Sequence, residues 1–208
     1  MIKEAVAKMK DKYYLPELNS ESVVISGGGF VGQWDEYIVR TYGCVVHIFE
    51  PFMSNMEKII EHFRGVIPTV YFHLIGLYDY DGLKDFHIYA GKSNSYSTTL
   101  RTDKELKEVI TINVVRLDTF MRKNNIQKVD LLKLNVEGAE VQILKSLSPS
   151  TAKKIKCISF ASHEGKVTTQ EEHKETLEHL KSIGYKVEPF NEQKHLNRWK
   201  CIYEDSNI

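Results

Sequence analysis

The sequence of 208 residues has few cysteines and no excess of charge of either sign. Cys44, Cys157 and Cys201 are far apart and form no CxxC pair, so we expect neither a disulfide framework nor a cysteine-bound metal. No HExxH pair is present, and we expect no metal site. Lysine plus arginine and aspartate plus glutamate each total 28, so the formal net charge is zero. This balance argues against nucleic acid as a partner.

Long hydrophobic runs are also missing. No apolar stretch is long enough to cross a membrane, and the first residues, MIKEAVAKMKDKYYLPEL, have no apolar signal-peptide core. We therefore expect a cytoplasmic protein without a membrane span. Repeats and low-complexity linkers are absent, and this length suits one domain. We predict a single domain over residues 1–208, with residues 1–20 as an N-terminal helical extension.

What the sequence does contain is a regular alternation of short apolar runs with amphipathic segments. The runs that read as buried strands lie at 22–26, 44–49, 69–75, 86–90, 111–116, 129–134 and 155–161. Helical spacing follows most of them, which predicts an α/β fold with a mainly parallel sheet and helices on both faces. Two further runs, at 185–190 and 198–203, suit an antiparallel pair. Ligands in such folds bind beyond the carboxyl ends of the strands.

A glycine-rich turn follows the first predicted strand. Its sequence, GGGFVG from Gly27 to Gly32, matches G-x-G-x-x-G, in which glycine lets the backbone approach a ligand closely. Glu50 ends the second predicted strand, where a carboxylate can accept hydrogen bonds from a ribose diol. Together they predict a nucleoside-bearing cofactor, either NAD(P) or S-adenosylmethionine. The alternative is a plain tight turn with Glu50 as a solvated strand end.

An NAD(P)-dependent oxidoreductase is the less favoured of these interpretations. GGGFVG is similar to the turn of extended short-chain dehydrogenases, but those enzymes need a helical Tyr-x-x-x-Lys well downstream. The match in this sequence, Tyr80 to Lys84, straddles a glycine turn too early in the chain.

Residues 111–147 resemble the signature of the FkbM methyltransferase family, in which "RLDxF…IDLLKIDVEGAExxVLKG" is typical. The matching residues are Arg116–Asp118, Phe120, Val129–Lys133 and Val136–Glu140. The similarity covers roughly residues 22–190. It extends to Phe49–Pro51 with Asn55, to the glycine turn and to Ser97–Leu100.

The resemblance implies the class I methyltransferase fold, a Rossmann-like, seven-stranded, mainly parallel sheet whose last strand is antiparallel. It implies S-adenosylmethionine as the cofactor and O-methylation of a hydroxyl on a small molecule or a glycan, with the oligomeric state left open. Gly28 and its neighbours would lie near the methionine part, Glu50 at the ribose and Ile75 near the adenine. The full set of implied cofactor residues is Ser26, Gly27, Gly28, Gly29, Phe30, Glu50, Pro51 and Ile75.

Three positions depart from the family pattern. Ser26 stands where the family has an aspartate that helps to hold the amino group of the cofactor, and Phe30 stands where it has an asparagine. Asn135 replaces the aspartate of "DVEG". These changes favour either an active site retuned to another substrate or a binding protein that keeps the fold without catalysis.

The candidate catalytic residues follow two of the later strands. His163 is the leading general base because an imidazole accepts a proton near neutral pH, although a simple loop histidine is an alternative. We expect Glu137 to face the site. Asn135 could orient a substrate, but an amide cannot serve as a base.

Overall fold

The computed structural model of the protein describes residues 12–65, 69–89, 95–97, 106–164, 167–193 and 196–204, with the backbone alone for 95–97, 191–193 and 196–197. Of the helical extension predicted over residues 1–20, the first eleven residues lie outside this range, and residues 12–20 contain no helix. Of the family-like stretch Ser97–Leu100, only Ser97 is described.

Strands and helices alternate along the described residues. The strands are β1 (Val23–Gly27), β2 (Val45–Phe49), β3 (Val70–His73), β4 (Gly76–Tyr78), β5 (Gly82–Tyr89), β6 (Ser95–Ser97), β7 (Leu106–Arg116), β8 (Leu131–Leu134), β9 (Cys157–Ser162), β10 (Tyr185–Gln193) and β11 (Leu196–Tyr203). The helices are α1 (Gln33–Tyr42), α2 (Met53–His62), α3 (Leu117–Lys123), α4 (Glu140–Lys145), α5 (Pro149–Ala152) and α6 (Gln170–Ser182). In this part of the chain no helix combines the length and the apolar character that a membrane crossing requires.

The main sheet has seven strands in the order β10-β11-β9-β8-β1-β2-β3. Neighbouring strands from β9 to β3 are parallel, whereas β11 runs antiparallel to both β9 and β10. The predicted sheet, mainly parallel with an antiparallel last strand, is therefore confirmed.

The central strands are apolar on both sides because both faces of the sheet are covered. Val24 of β1 belongs to a core with Trp34 and Ile38 of α1, while the next residue, Ile25, belongs to a second core with Phe120 of α3. All four residues of β8 are buried. This two-sided burial explains why these strands read as continuous hydrophobic runs in the sequence.

A second sheet of four strands, in the order β4-β7-β5-β6, was not predicted. The sequence indicated strands at 86–90 and 111–116, but β5 and β7 are longer and pair antiparallel from Gly82–Val114 to Tyr89–Leu106. Phe86 and Val114 share a core with Phe49 of β2, which places this sheet beside the carboxyl end of β2.

Candidate functional site

A cavity of about 430 Å³ lies at the carboxyl ends of β1, β2 and β8, within the usual size range of small-molecule sites. Its lining includes residues that directly follow these strands, among them Gly28, Glu50 and Asn135. An apolar part of the lining comes mostly from the second sheet and comprises Leu77, Tyr78, Phe86, Ile112 and Val114. A charged part comprises Lys12, Asp35, Lys133 and Glu137.

The glycine turn is shaped by close packing of the protein on itself. Gly28 has a φ of +80°, and a Cβ atom there would lie 2.0 Å from the backbone oxygen of Asn135. A Cβ atom on Gly29 would lie 2.6 Å from Cγ2 of Ile48 and 2.8 Å from Cδ1 of Ile59. Gly28 accepts only glycine because of its positive φ and the backbone that follows β8, whereas a side chain at Gly29 would require Ile48 and Ile59 to shift.

The amide groups of this turn are already engaged within the protein. The N–H groups of Gly28 and Gly29 donate to the carbonyl oxygen of Phe49 at 3.0 and 3.2 Å. The N–H of Phe30 donates to Glu50 Oε2 at 2.9 Å. A ligand phosphate placed against the turn would therefore have to displace an internal hydrogen bond at each of these amides.

Glu50 is buried at the edge of the cavity. Its Oε1 accepts hydrogen bonds from Phe52 N at 3.2 Å and from Asn55 Nδ2 at 3.3 Å. Burial raises the pKa of the Glu50 carboxyl, while these bonds and that from Phe30 oppose the rise. An ionised carboxylate has about four lone-pair sites, so Oε2, which accepts one bond, keeps a site for a ligand hydroxyl.

The side chain of Lys133, in β8, holds the glycine turn through hydrogen bonds to its carbonyl oxygens. Its Nζ donates to the carbonyl oxygens of Gly28 at 2.7 Å and Gly27 at 3.3 Å, and lies 5.4 Å from the ring centre of Tyr13. Burial lowers the pKa of Lys133 to about 8. Lys133, the third residue of the buried strand β8, therefore holds the carbonyl groups of Gly27 and Gly28 in place.

The structure brings together five of the eight predicted cofactor residues on the cavity lining, namely Gly28, Gly29, Phe30, Glu50 and Pro51. Ser26 and Gly27 lie behind them, within hydrogen-bonding distance of Lys133. Ile75 does not belong to the lining, whereas the next residues along the chain, Gly76–Tyr78, do. Among the contributors that sequence reasoning missed are Lys12, Tyr13, Trp34 and Asp35.

His163 lies between two glutamates. Its Nε2 is 3.5 Å from Glu137 Oε2 and its Nδ1 is 3.3 Å from Glu140 Oε1, with 6% of the side chain exposed. Burial lowers the pKa of His163, but Glu140 and then Glu137 outweigh burial and raise this pKa to about 10. The ring is thus an imidazolium at neutral pH, without a nitrogen free to accept a proton. It is not part of the cavity lining, whereas Glu137 and Asn135 are.

Two of the strained residues of the backbone line the cavity. Positive φ angles at non-glycine residues occur at Phe30 (54°), Asn125 (53°) and Glu137 (54°) within the described part of the chain. A left-handed backbone costs such a residue about 1–2 kcal/mol. Phe30 and Glu137 line the cavity, and strain of this kind often accompanies a functional position. Glu140 holds the turn around Glu137 by accepting hydrogen bonds from Val136 N at 2.6 Å and Gly138 N at 2.8 Å.

In the described part of the chain, no group of three or more histidine, cysteine, aspartate and glutamate side chains is arranged to hold a metal ion. The His163 cluster contains two glutamates, but its imidazolium ring cannot bind a metal ion while it is protonated.

The buried pair of His163 and Glu140 leads to a prediction about stability. His163→Gln should lower the free energy of unfolding at pH 7 by about 3 kcal/mol, because it leaves the buried Glu140 without its cation. Since the folded pKa of His163 is raised, its contribution is complete below the unfolded pKa of about 6.5 and is lost as the pH rises through about 10. Urea denaturation of the wild type and of His163→Gln should show that the difference between their free energies of unfolding is smaller at pH 10.5 than at pH 7.

The control is His62→Gln, because His62 is a half-exposed histidine that faces Glu36 on the surface and should contribute little. An unchanged difference between wild type and His163→Gln at the two pH values would contradict the assignment of a charged imidazolium.

Comparison with known proteins gives one family and a set of similar folds. The Methyltransferase FkbM domain family matches residues 26–187. A methyltransferase FkbM from Methylobacillus flagellatus KT superposes with a TM-score of 0.62 at 13% identity, over 91% of this chain and 45% of that one. The chain therefore spans less than half the length of that protein. No curated protein matches the sequence significantly.

Two other solved structures share the fold. An rRNA methylase from Streptococcus thermophilus has a TM-score of 0.53 at 10% identity, over 99% of this chain and 95% of that one. TrmK from M. capricolum, in complex with S-adenosyl-homocysteine, has a TM-score of 0.52 at 10% identity, over 100% of this chain and 70% of that one. At such identities the similarity shows the fold alone.

Proposed function

Because this chain belongs to the methyltransferase FkbM domain family, we propose that it binds S-adenosylmethionine in the cavity at the strand ends and methylates a hydroxyl of a small molecule or a glycan. The observation that carries the proposal is the position of Glu50. This buried carboxylate ends β2, lines the cavity beside the glycine turn and keeps a hydrogen-bonding site open on Oε2.

The cavity offers a matching surface for each part of the cofactor. Glu50 would accept a hydrogen bond from the ribose, the role that we expected for it from the sequence. The apolar part formed by Leu77, Phe86 and Ile112 suits an adenine ring, in place of the predicted Ile75. The bound cofactor would supply an electrophilic methyl group.

Glu137 is the general base in this proposal. It lines the cavity, its side chain is 39% exposed, and a carboxylate can accept the proton of an acceptor hydroxyl. His163, our leading candidate from the sequence, would instead orient Glu137 through the 3.5 Å contact, since an imidazolium cannot accept a proton. Asn135 would orient the acceptor by hydrogen bonding.

The engaged amides count against the NAD(P) alternative. A dinucleotide fold binds pyrophosphate through free N–H groups at the glycine turn and the following helix. In this chain the amides of Gly28, Gly29 and Phe30 are bonded internally, and the carboxylate of Asp35 lies in the first turn of α1. A pyrophosphate at the turn would find these N–H groups already bonded, and the carboxylate of Asp35 would repel it.

Titration by calorimetry with S-adenosyl-homocysteine and with NAD(P) tests the proposal. We expect the wild type to bind S-adenosyl-homocysteine, and Glu50→Gln to weaken this binding at least tenfold, or about 1.4 kcal/mol. Glutamine suits this test better than alanine because it fills the same space beside Phe30 and Asn55. Glu57→Gln, on the exposed side of α2, is the control and should leave the affinity unchanged.

Binding of NAD(P) without S-adenosyl-homocysteine would overturn the proposed cofactor. Cofactor binding with no methyl transfer to any of a panel of sugars, phenols, lipids and RNA would favour the binding-protein alternative suggested by Ser26, Phe30 and Asn135. RNA belongs in the panel because an rRNA methylase shares the fold, although the zero net charge counts against such a partner.

A further inference from the structure

Asp35 is a buried carboxylate whose oxygens have no hydrogen-bond donor within 3.5 Å among the described residues, although the Ser26 hydroxyl lies near enough to favour its ionised form. It lies in the first turn of α1, lines the cavity and is 1% exposed. Within the described part of the chain, neither of its carboxylate oxygens has a hydrogen-bond partner. Burying an ionised carboxylate in this way costs several kcal/mol, which the position at a helix N-terminus only partly offsets. A ligand group is therefore the missing partner that the geometry suggests.

The nearby cations do not fill this role. Lys133 is close enough to lower the pKa of Asp35, with a smaller contribution from Ser26, but burial outweighs both and raises it. The ammonium of Lys133 donates to the carbonyl oxygens of Gly28 and Gly27, 2.7 and 3.3 Å away. Lys12 also lowers the pKa of Asp35, more weakly than Lys133. The ammonium groups of Lys133 and Lys12 thus attract the Asp35 carboxylate without donating a hydrogen bond to it.

We propose that Asp35 binds the ammonium group of the amino-acid part of S-adenosylmethionine, an inference that rests on the proposed function. An ammonium carries three N–H donors, and a charge-assisted bond of this kind is about twice as strong as a neutral one. Ser26 offers only a hydroxyl behind the turn, so the carboxylate for this group comes from the helix after the turn and not from β1.

The charges around Asp35 favour a zwitterion over a simple cation or anion. Lys12 and Asp35 both line the cavity, so it presents one positive and one negative side chain to the same ligand. A purely cationic ligand would be repelled by Lys12 and Lys133, and a purely anionic one by Asp35 and Glu50. An α-amino acid carries both charges, and Lys12 is placed to meet its carboxylate.

The test compares two ligands on the full chain by calorimetry. S-adenosyl-homocysteine carries the amino-acid part, whereas 5′-methylthioadenosine keeps the nucleoside and the sulfur but lacks the amino acid. We expect Asp35→Asn to weaken S-adenosyl-homocysteine at least tenfold and to leave 5′-methylthioadenosine within twofold of the wild type. Glu36→Gln is the control, because Glu36 is the next residue of α1 and pairs with Arg40 on the surface. It should change neither affinity.

A second measurement needs no variant. The wild type should bind the analogue of S-adenosyl-homocysteine that lacks the amino group at least tenfold more weakly, and the inference fails if this loss is absent. Unchanged S-adenosyl-homocysteine affinity in Asp35→Asn, or equal weakening of both ligands, would also overturn it. Wild-type protein that binds both nucleosides equally would leave the proposed function standing and refute this inference alone. Absence of binding to either nucleoside would refute both.

Discussion

Gly28→Ala is expected to lower the free energy of unfolding by about 4 kcal/mol or more, the range of severe single substitutions, and so to leave little folded protein. The new Cβ atom would lie 2.0 Å from the carbonyl oxygen of Asn135, and alanine would also have to adopt a φ of +80°. Asn135 cannot move aside freely, because its N–H donates to Gly27 at 3.0 Å and ties the end of β8 to β1. Urea denaturation and soluble yield measure the effect.

Gly65→Ala is a matched control for this substitution. Gly65 has a similar φ of +76°, but among the described residues a Cβ atom there would have no neighbour within 4 Å. Its replacement isolates the cost of the left-handed backbone, which is about 1–2 kcal/mol. The difference between the two variants measures the contact with Asn135. Equal losses would show that the chain after β8 yields easily, and would contradict the close fit described for the glycine turn.

The fold was predictable where burial is two-sided. β1 and β8 are apolar at most positions because their side chains pack into both cores, and such runs are visible in the sequence. The second sheet was missed for the opposite reason. The first four residues of β7, Leu106–Val109, are exposed, so no apolar pattern marks them, and their pairing with β5 depends on residues distant in the chain.

The sequence likewise predicted some features of the candidate site and missed others. The glycine turn and Glu50 were found because each marks the end of a strand, and strand ends converge at one edge of a parallel sheet. Asp35 could not be found in this way, since an acid in the first turn of a helix is ordinary in a sequence. The charge of His163 also escaped prediction, because it depends on Glu137 and Glu140, which the fold brings to its ring.

Glu137→Gln is expected to reduce methyl transfer by about 10²–10⁴-fold, the usual contribution of a general base. Glutamine keeps the size of the side chain and the positive φ, so binding of S-adenosyl-homocysteine and stability should stay close to those of the wild type. The readout is transfer from labelled S-adenosylmethionine to whichever sugar, phenol, lipid or RNA of the panel accepts it. Glu164→Gln, beside His163 in sequence, is the control and should keep full activity.

Glu137→Gly separates the catalytic role of this position from its structural one. Glycine adopts a φ of 54° without strain, so this variant should gain about 1 kcal/mol of stability while losing the same activity as Glu137→Gln. Asn125→Gly is the matched control. Asn125 has a φ of 53° in the turn after α3 and is not part of the cavity lining, so the Asn125→Gly protein should keep its activity. Its gain in stability should be smaller than that of Glu137→Gly, because asparagine tolerates a left-handed backbone better than glutamate does. An active Glu137→Gln protein would show that Glu137 is not the general base. A Glu137→Gly protein that is less stable than the wild type would show that the Glu137 side chain stabilises its turn by more than the left-handed backbone costs.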